Sequence, residues 1–561
     1  MLCKDCGLTL RGQMQYDDGV RNTLYAAVRR QNGGFGMKTV TRVLAALMLC
    51  AVTAGCGGEK QAVRQGDGEM PKELTIFAGM GASPTKAGAS SNNDISSFRL
   101  MEQMTGCHIE WIHPSSAAFE EKFNLLITSG NLPDAIVANW RDISGGVNTY
   151  VEDEIILDLT DLVKKNMPNF WGYLEENPEV KKQVTDADGR ILYIPFIRKD
   201  KELNIYQGPQ IRYDWLTKLG LDVPKTTDDL YNVLKAFKER DPNGNGQADE
   251  IPMTGIDFDD TTNGIGNLLW AFGTTYDFYV DGGKVKYGPM EPEFEEGLRY
   301  ITRLYSEGLI DTDYLLNDRQ KMDSKVLNDR SGFLFAMQPT KYCSSELNDG
   351  EKKVLGIGYL TGPGGKKACF NPMYTQSVIG TSLAITTACD NPAGVLKWLD
   401  NFYGGKGYEY MNFGEEGKDF SWVDGYPKLS DSLLNNPDMD KTSAIGLAIG
   451  AFDSAFPALQ DWRYYEQTLS EWGRDSINIW SEDNVDTSGI LPSLSFAEEE
   501  NDKIVQTMSQ IESYISAEYN KILVGQSSID TWANACEQMR KMGIEDIIKI
   551  YNDEYKNYCE R

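Results

Sequence analysis

From residue 73 onward the apolar positions follow two different periods. Glu73-Leu-Thr-Ile-Phe-Ala78 is a short apolar run that predicts a strand. Ile95 to Met104 has helical spacing, and Cys107-His-Ile-Glu-Trp-Ile112 reads as a second strand. Phe119, Phe123 and Leu126 then share one helix face, and Pro133-Asp-Ala-Ile-Val137 is a third strand. Strand–helix–strand–helix–strand with short links predicts a mostly parallel α/β sheet. Ligands of such sheets bind beyond the carboxyl ends of the strands, here Gly79–Ser83, His113–Ser116 and Ala138–Asp142.

Past Glu154 helical patterns dominate. In Thr226–Arg240, Thr226 is placed to cap, Asp229 follows three residues later, and Leu230, Val233, Leu234 and Phe237 form one stripe. Asp281-Gly-Gly283, between Tyr279-Val280 and Lys284-Val285, predicts a hairpin. Glu293 to Glu307 predicts a helix stopped by Gly308. Gly332–Met337 and Ser382–Thr386 read as buried strands, and helical spacing runs from Glu498 to the end.

The N-terminal region reads differently. Lys38 and Arg42 precede the apolar run Val43–Val52, which ends in Thr53-Ala54-Gly55 before Cys56. That order is a secretory signal. A run of roughly ten apolar residues covers only about half a bilayer core, so it is no membrane span. Ala54-Gly55-Cys56 resembles a bacterial lipobox, which makes Cys56 the expected acylated N-terminus of the mature chain and its membrane anchor. Met37 is then the expected start, residues 37–55 the signal peptide, and residues 1–36 an over-extended N-terminus. Cys3-x-x-Cys6 is half a zinc motif with no second pair near it. Residues 56–72 are polar and Gly-bearing, and read as a flexible tether.

Charge narrows the partners. The chain has 83 Asp+Glu against 55 Lys+Arg, a formal net charge of −28. Such a surface repels nucleic acid and anionic lipid alike, so no nucleic-acid partner is expected and lipid attachment must do the anchoring. Six sparse cysteines follow Cys56 and make no disulfide scaffold. Cys343 with Cys369, or Cys536 with Cys559, could pair, although free thiols are the simpler reading.

The sharpest local motif is Asp241-Pro-Asn243-Gly-Asn245-Gly246-Gln247-Ala-Asp249-Glu250. Oxygen-bearing side chains fall at positions 1, 3, 5 and 9, Gly246 at 6 supplies the tight turn, and Gln247 at 7 offers its carbonyl. Position 12 is Pro252, so Glu250 must replace the usual glutamate. The alternative is a solvated Asn-Gly turn. Calcium takes six to eight hard oxygens, and the motif's position after a helix suits a structural ion rather than a catalytic one.

Together with Ile211–Leu221, Val223-Pro224 and the helix between, this motif resembles the extracellular solute-binding lipoproteins of ABC-type sugar importers (family 1), most closely the alginate-oligosaccharide-binding branch. Leu132–Ala135, Met167–Asn169, Glu176–Pro178, Tyr193–Pro195, Leu304–Ile310 and Gly414–Gly417 with Trp422 fit the same pattern in order. The resemblance covers residues 73–561. It implies calcium at Asp241, Asn243, Asn245, Gln247, Asp249 and Glu250. It also implies an α/β, two-lobed periplasmic-binding-protein-like fold (type II), with crossing segments near Pro195–Arg212 and Tyr374–Ile379 and a helical C-terminus. The expected division is 73–197 for lobe 1, 198–375 for lobe 2 with its calcium loop 241–252, 376–425 for a return to lobe 1, and 426–561 for a mostly helical part packed on the lobes.

Function follows as an expectation: a monomeric protein on the outer face of the cytoplasmic membrane captures an oligosaccharide between its lobes and passes it to ABC permease subunits. Sugars need aromatic platforms edged by polar groups. Trp140, Trp270 and Trp422 are the main candidates, with Arg198, Tyr206, Arg212 and Tyr374 near the crossings. Eleven tryptophans make core packing the competing role for any one of them. A secreted glycoside hydrolase or a surface glycan-binding adhesin is the alternative, but no acidic pair stands out. Gly380-Thr-Ser382-Leu-Ala384 only approximates a nucleophile elbow, and the two histidines, His108 and His113, lie far upstream.

Overall fold

The computed structural model describes residues 68–560 apart from 142, 145, 343–353, 367–375, 483–487 and 495. Cys56, the signal segment, Cys3, Cys6, Tyr374, Cys343 and Cys369 lie outside the described residues. Among those described, no helix is long and apolar enough to cross a membrane.

In chain order the strands are β1 (Glu73–Phe77), β2 (His108–Ile112), β3 (Ala135–Asn139), β4 (Ile194–Arg198), β5 (Gln207–Arg212), β6 (Ile251–Met253) and β7 (Phe278–Asp281). They continue with β8 (Lys284–Tyr287), β9 (Ser331–Met337), β10 (Val354–Gly356), β11 (Val378–Ile385), β12 (Phe420–Val423), β13 (Tyr426–Leu429) and β14 (Leu459–Gln460). A large sheet has the order β14-β4-β11-β3-β1-β2 and a small one the order β10-β5-β9-β6. β1 is parallel to β2 and β3, as the strand–helix alternation predicts. β11 runs against both neighbours, pairing Thr381 with Asn139 and Leu383 with Ile194. It is antiparallel because the chain re-enters this sheet at the edge where β3 and β4 end.

Each sheet builds its own core. Ile76, Val137, Ile194, Leu383, Leu396 and Trp398 belong to the large-sheet lobe, and Trp215, Phe237, Leu298 and Phe333 to the small-sheet lobe. The helix Thr227–Glu239 opens with the expected reciprocal cap: Thr226 Oγ1 accepts the Asp229 N–H and Asp229 accepts the Thr226 N–H, both at 3.0 Å. The Gly282-Gly283 hairpin forms with both residues at positive φ, as a two-residue turn requires.

The chain passes between the lobes along 199–206, from β4 to β5, and again on the way into β11. A third passage, along 461–470, follows β14 and leads to the helix Glu471–Glu482, which packs under the small sheet. There Ser476 Oγ accepts the Gly356 N–H at 2.7 Å and Trp480 donates its indole N–H to Ile357 O at 3.1 Å. A Cβ at Gly208 would stand 2.5 Å from the Trp480 ring, so that strand position requires glycine. The large-sheet lobe thus extends past residue 425 to β14. The C-terminal helices pack on the small-sheet lobe, with Trp532 stacked on Phe294 and Tyr519 on Phe258.

The tether reading stops short of residue 68. Asn391 donates to the Glu69 carbonyl at 3.0 Å, which pins the described start of the chain to the large-sheet lobe.

Candidate functional site

The edge where β3 and β4 end is also where the three passages leave. Arg198, at the end of β4, donates its backbone N–H to Ser377 O at 2.8 Å and lays its guanidinium 5.1 Å from the Tyr206 ring centre. Asn204 donates to Ser377 Oγ at 3.1 Å, tying the first passage to the approach to β11. Asp200 accepts the Trp462 N–H at 2.8 Å, tying the first passage to the third. Ile205, Leu469, Ile477 and Trp480 form a small apolar core under these links, with Tyr206, Trp462 and Tyr465 half-buried around it. A junction of this kind links two lobes at the place about which they hinge.

The seven candidate ligand residues fall into different environments. Arg198 and Tyr206 meet at the junction. Trp422 is 39% exposed on the β12–β13 hairpin, with one side against Phe413 and Phe420. That hairpin packs on the third passage, where Tyr426 donates its hydroxyl to Arg463 O at 3.0 Å.

Three others require correction. Trp140 is fully buried, donates to Ile136 O at 2.9 Å and packs on Phe123 and Tyr150; its ring fills the core behind the sheet edge. Trp270 is 3% exposed and edge-on to Phe335, so it offers no free face. Arg212 is 2% exposed at the far end of β5, roughly 16 Å along the strand from the junction. It donates to Asp214 Oδ1 at 2.8 Å, pairs with Asp329, and lies 4.7 Å from the Trp215 ring centre. Tyr374 lies outside the described residues.

The motif at 241–250 forms a tight loop. Asp241 accepts the N–H groups of Gly244, Asn245 and Gly246 at 2.8, 3.1 and 3.0 Å. Asn243 accepts from the Asn245 N–H, and Asn245 from the Gln247 N–H. Gly244 and Gly246 both have positive φ, which the turn demands. Lys218 clips the loop to the earlier helix Tyr213–Leu219 by donating to Pro242 O at 2.7 Å. The observation that bears on a metal is Glu250: both carboxylate oxygens are buried with no donor in hydrogen-bonding geometry. Burial pushes its pKa up, the backbone N–H groups of Glu250 and Asn243 work against the rise, and the nearby Asp241 and Asp249 charges add to it. A buried carboxylate with incomplete hydrogen bonding is costly, and a cation is a partner its chemistry fits. Among the described residues, no three His, Cys, Asp or Glu side chains stand close enough to hold an ion. Here Asn245 donates its amide to Asp249 at 2.9 Å, so the amide oxygens would have to turn inward to ligate.

The serine and histidines weighed for a hydrolase have structural partners among the described residues. Ser382 is buried and donates to Ala138 O and Gly380 O. His113 sits between Ala78 O and the Asn92 N–H, and burial lowers its pKa, while His108 faces Glu102 at the surface. Cys107, Cys389, Cys536 and Cys559 are free thiols, so Cys536 and Cys559 do not pair.

Sequence reasoning missed the third passage and its Asp200–Trp462 link. The dense run Asp461-Trp-Arg-Tyr-Tyr465 after a short apolar stretch was the available signal.

Two sheets joined by three passages define a two-lobed binding protein. The family model described as bacterial extracellular solute-binding protein matches residues 82–408, and the chain belongs to that family. It is 31% identical over 492 residues to the fructooligosaccharide ABC transporter substrate-binding protein FusA of Streptococcus pneumoniae, covering 82% of this chain and 86% of FusA. It is 26% identical over 522 residues to lipoprotein LipO of Bacillus subtilis, covering 87% of this chain and 97% of LipO. The solved structure of S. pneumoniae FusA in complex with kestose matches with a TM-score of 0.68 at 26% identity, over 87% of this chain and 100% of that one. A FusA EF-hand mutant in complex with fructo-nystose matches with a TM-score of 0.66 over the same shares.

Proposed function

We propose that this protein is a membrane-tethered solute-binding component of an ABC importer that captures an oligosaccharide between its lobes. The observation that carries the reading is the junction: three passages cross side by side at the edge where β3 and β4 end, with Arg198 and Tyr206 paired on them. FusA, similar over most of its length, is described as binding fructooligosaccharides, and LipO as a lipoprotein. The ligand groups retained are Arg198, Tyr206 and the exposed face of Trp422. A sugar touching both lobes favours the closed arrangement by population shift, and the closed form is the one the permeases accept. No covalent chemistry is involved, and the protein acts as a monomer.

Calcium belongs to the loop in this reading. Asp241, Asn243, Asn245, Asp249 and Glu250 would hold it with the carbonyl of Gln247, and it would supply rigidity rather than catalysis. The EF-hand mutant of FusA is the parallel. Acylation at Cys56 would supply the anchor.

Thermal-shift measurements on residues 57–561 with calcium, across neutral and acidic oligosaccharides and with the same mixtures assayed for cleavage, test the whole reading. Stabilisation by one glycan class without cleavage is expected. Cleavage products would replace it with a hydrolase.

A further inference from the structure

The carboxyl end of β3 adjoins a recess that both lobes build. Most of its lining belongs to the large-sheet lobe: Arg141, two residues past β3, Lys182 and Gln183 of the helix Pro178–Val184, and Asp186 and Arg190 on the way into β4. Ser493 lines it too, from a segment held on the small-sheet lobe. In that segment Gly489 O accepts the Val280 N–H of β7 at 2.9 Å. Phe496 packs edge-on against Tyr551, which is itself stacked on Phe278 at 4.2 Å. The recess stands beside the second passage, where Arg141 donates to Val378 O at 2.9 Å and Gln183 Oε1 accepts the Val378 N–H at 3.2 Å.

Three cations line this recess against one acid, in a chain whose net charge is −28. Asp186 and Arg190 answer each other: Arg190 Nε donates to Asp186 Oδ2 at 2.8 Å and Nη2 to Asn148 Oδ1 at 2.7 Å. Asp188, 3.6 Å from Arg190, is 77% exposed and turned to solvent. Arg141 is tied to the Val378 carbonyl. Lys182 is different. Its nearest carboxylate, Glu179, is 3.7 Å away, beyond hydrogen-bond reach, and 78% exposed, so water screens the pair. Its other neighbour is the Tyr558 ring, 6.0 Å away on the helix Ile544–Glu560 of the small-sheet lobe. The ammonium thus stands between the lobes with its donors uncommitted among the described residues. The recess encloses about 40 Å³, room for roughly three waters. That admits a carboxylate, phosphate or sulfate group and no sugar ring.

We propose that this recess is an interlobe oxyanion site, in which Lys182 receives the anion and occupancy draws the two lobes together. Gln183, whose oxygen is taken by the Val378 N–H, offers its NH2 group, and Ser493 offers its hydroxyl from the opposite lobe. Bonds from an ammonium to an oxyanion are charge-assisted and about twice as strong as neutral ones. An anion held by both lobes binds the closed arrangement better than the open one, which is the condition for shifting that equilibrium. The anion is either a substituent of a bound glycan, in which case the inference rests on the oligosaccharide reading above, or a free inorganic ion. A lysine in the last turn of a helix also answers the helix dipole. That role alone would show in melting and not in anion affinity.

The test is calorimetric titration of residues 57–561 with neutral oligosaccharides, with trigalacturonate and with inorganic phosphate, together with the radius of gyration from small-angle scattering. It is run on the wild type, Lys182→Met, Lys182→Arg and Ser493→Ala, each with its melting curve. Expected is binding of at least one of the two anions with a contraction of the molecule. Its affinity should fall about tenfold or more in Lys182→Met, return in Lys182→Arg, weaken in Ser493→Ala and decline with added salt. Melting without ligand and affinity for neutral sugars should stay at wild-type values in Lys182→Met. Lys182-dependent binding of trigalacturonate alone assigns the anion to the glycan, and of phosphate to a free ion. Failure of both anions to bind, or equal anion affinity in wild type and Lys182→Met, overturns the inference. A neutral sugar that still binds then leaves the oligosaccharide reading standing, and silence toward every sugar and phosphate overturns both.

Discussion

Asp200 and Trp462 join two of the three passages between the lobes, the Asp200 carboxylate accepting the Trp462 backbone N–H at 2.8 Å. Burial raises the Asp200 pKa most, the Trp462 N–H works against that rise, and the nearby Asp461 charge adds to it. A carboxyl raised in the folded state favours folding when protonated. Its contribution is fully present below the unfolded pKa and is lost as pH rises through the folded one. Asp200→Asn keeps an acceptor without the charge. Its melting temperature should therefore exceed the wild type at pH 7 and match it at acid pH, in parallel thermal scans. Asp200→Ala, which cuts the link, should melt lower than Asp200→Asn at every pH.

Trp422 and Trp270 should separate binding from packing. Trp422→Ala removes a half-exposed ring from a hairpin, and melting should move little while sugar affinity falls. Trp270→Ala opens a cavity beside Phe335 and should cost about 3–5 kcal/mol of stability, read by denaturant titration. Equal melting of the two variants would contradict this assignment.

Calcium at the loop should stabilise by mass action, about 2.7 kcal/mol at a hundredfold excess over its dissociation constant. Adding EGTA should lower the melting temperature of wild type and leave Glu250→Gln unmoved. A calcium response preserved in Glu250→Gln would remove Glu250 from the ligand set.

Arg212 is buried between Asp214 and Asp329, and Asp329 O accepts the Asn243 amide of the loop at 3.2 Å. Arg212→Met leaves two acids without their cation and should cost about 3–5 kcal/mol. Through Asp329 it should also weaken the calcium-dependent shift. Unchanged sugar affinity per folded molecule would agree with a position remote from the junction.

Much of the architecture was written in local sequence. Alternation and turn residues are short-range properties, so the strands at Glu73–Phe77, His108–Ile112 and Ser331–Met337, the Thr226–Asp229 cap and the Gly282-Gly283 hairpin follow from neighbours a few positions apart. The spacing of Asp241 to Glu250 likewise implied a tight oxygen-lined loop. Tertiary structure alone decided which aromatic residues face solvent. A tryptophan just past a strand reads the same whether the next layer covers it, as Phe123 and Tyr150 cover Trp140, or leaves it open, as at Trp422. It also decided that Arg212 turns away from the junction, because its partner Asp329 lies more than a hundred residues away. The third passage and the Asp200–Trp462 link are non-local for the same reason. Each depends on which surfaces meet when two cores, fed by interleaved segments, pack against shared passages, and that choice is made by burial over the whole molecule rather than by any window of sequence.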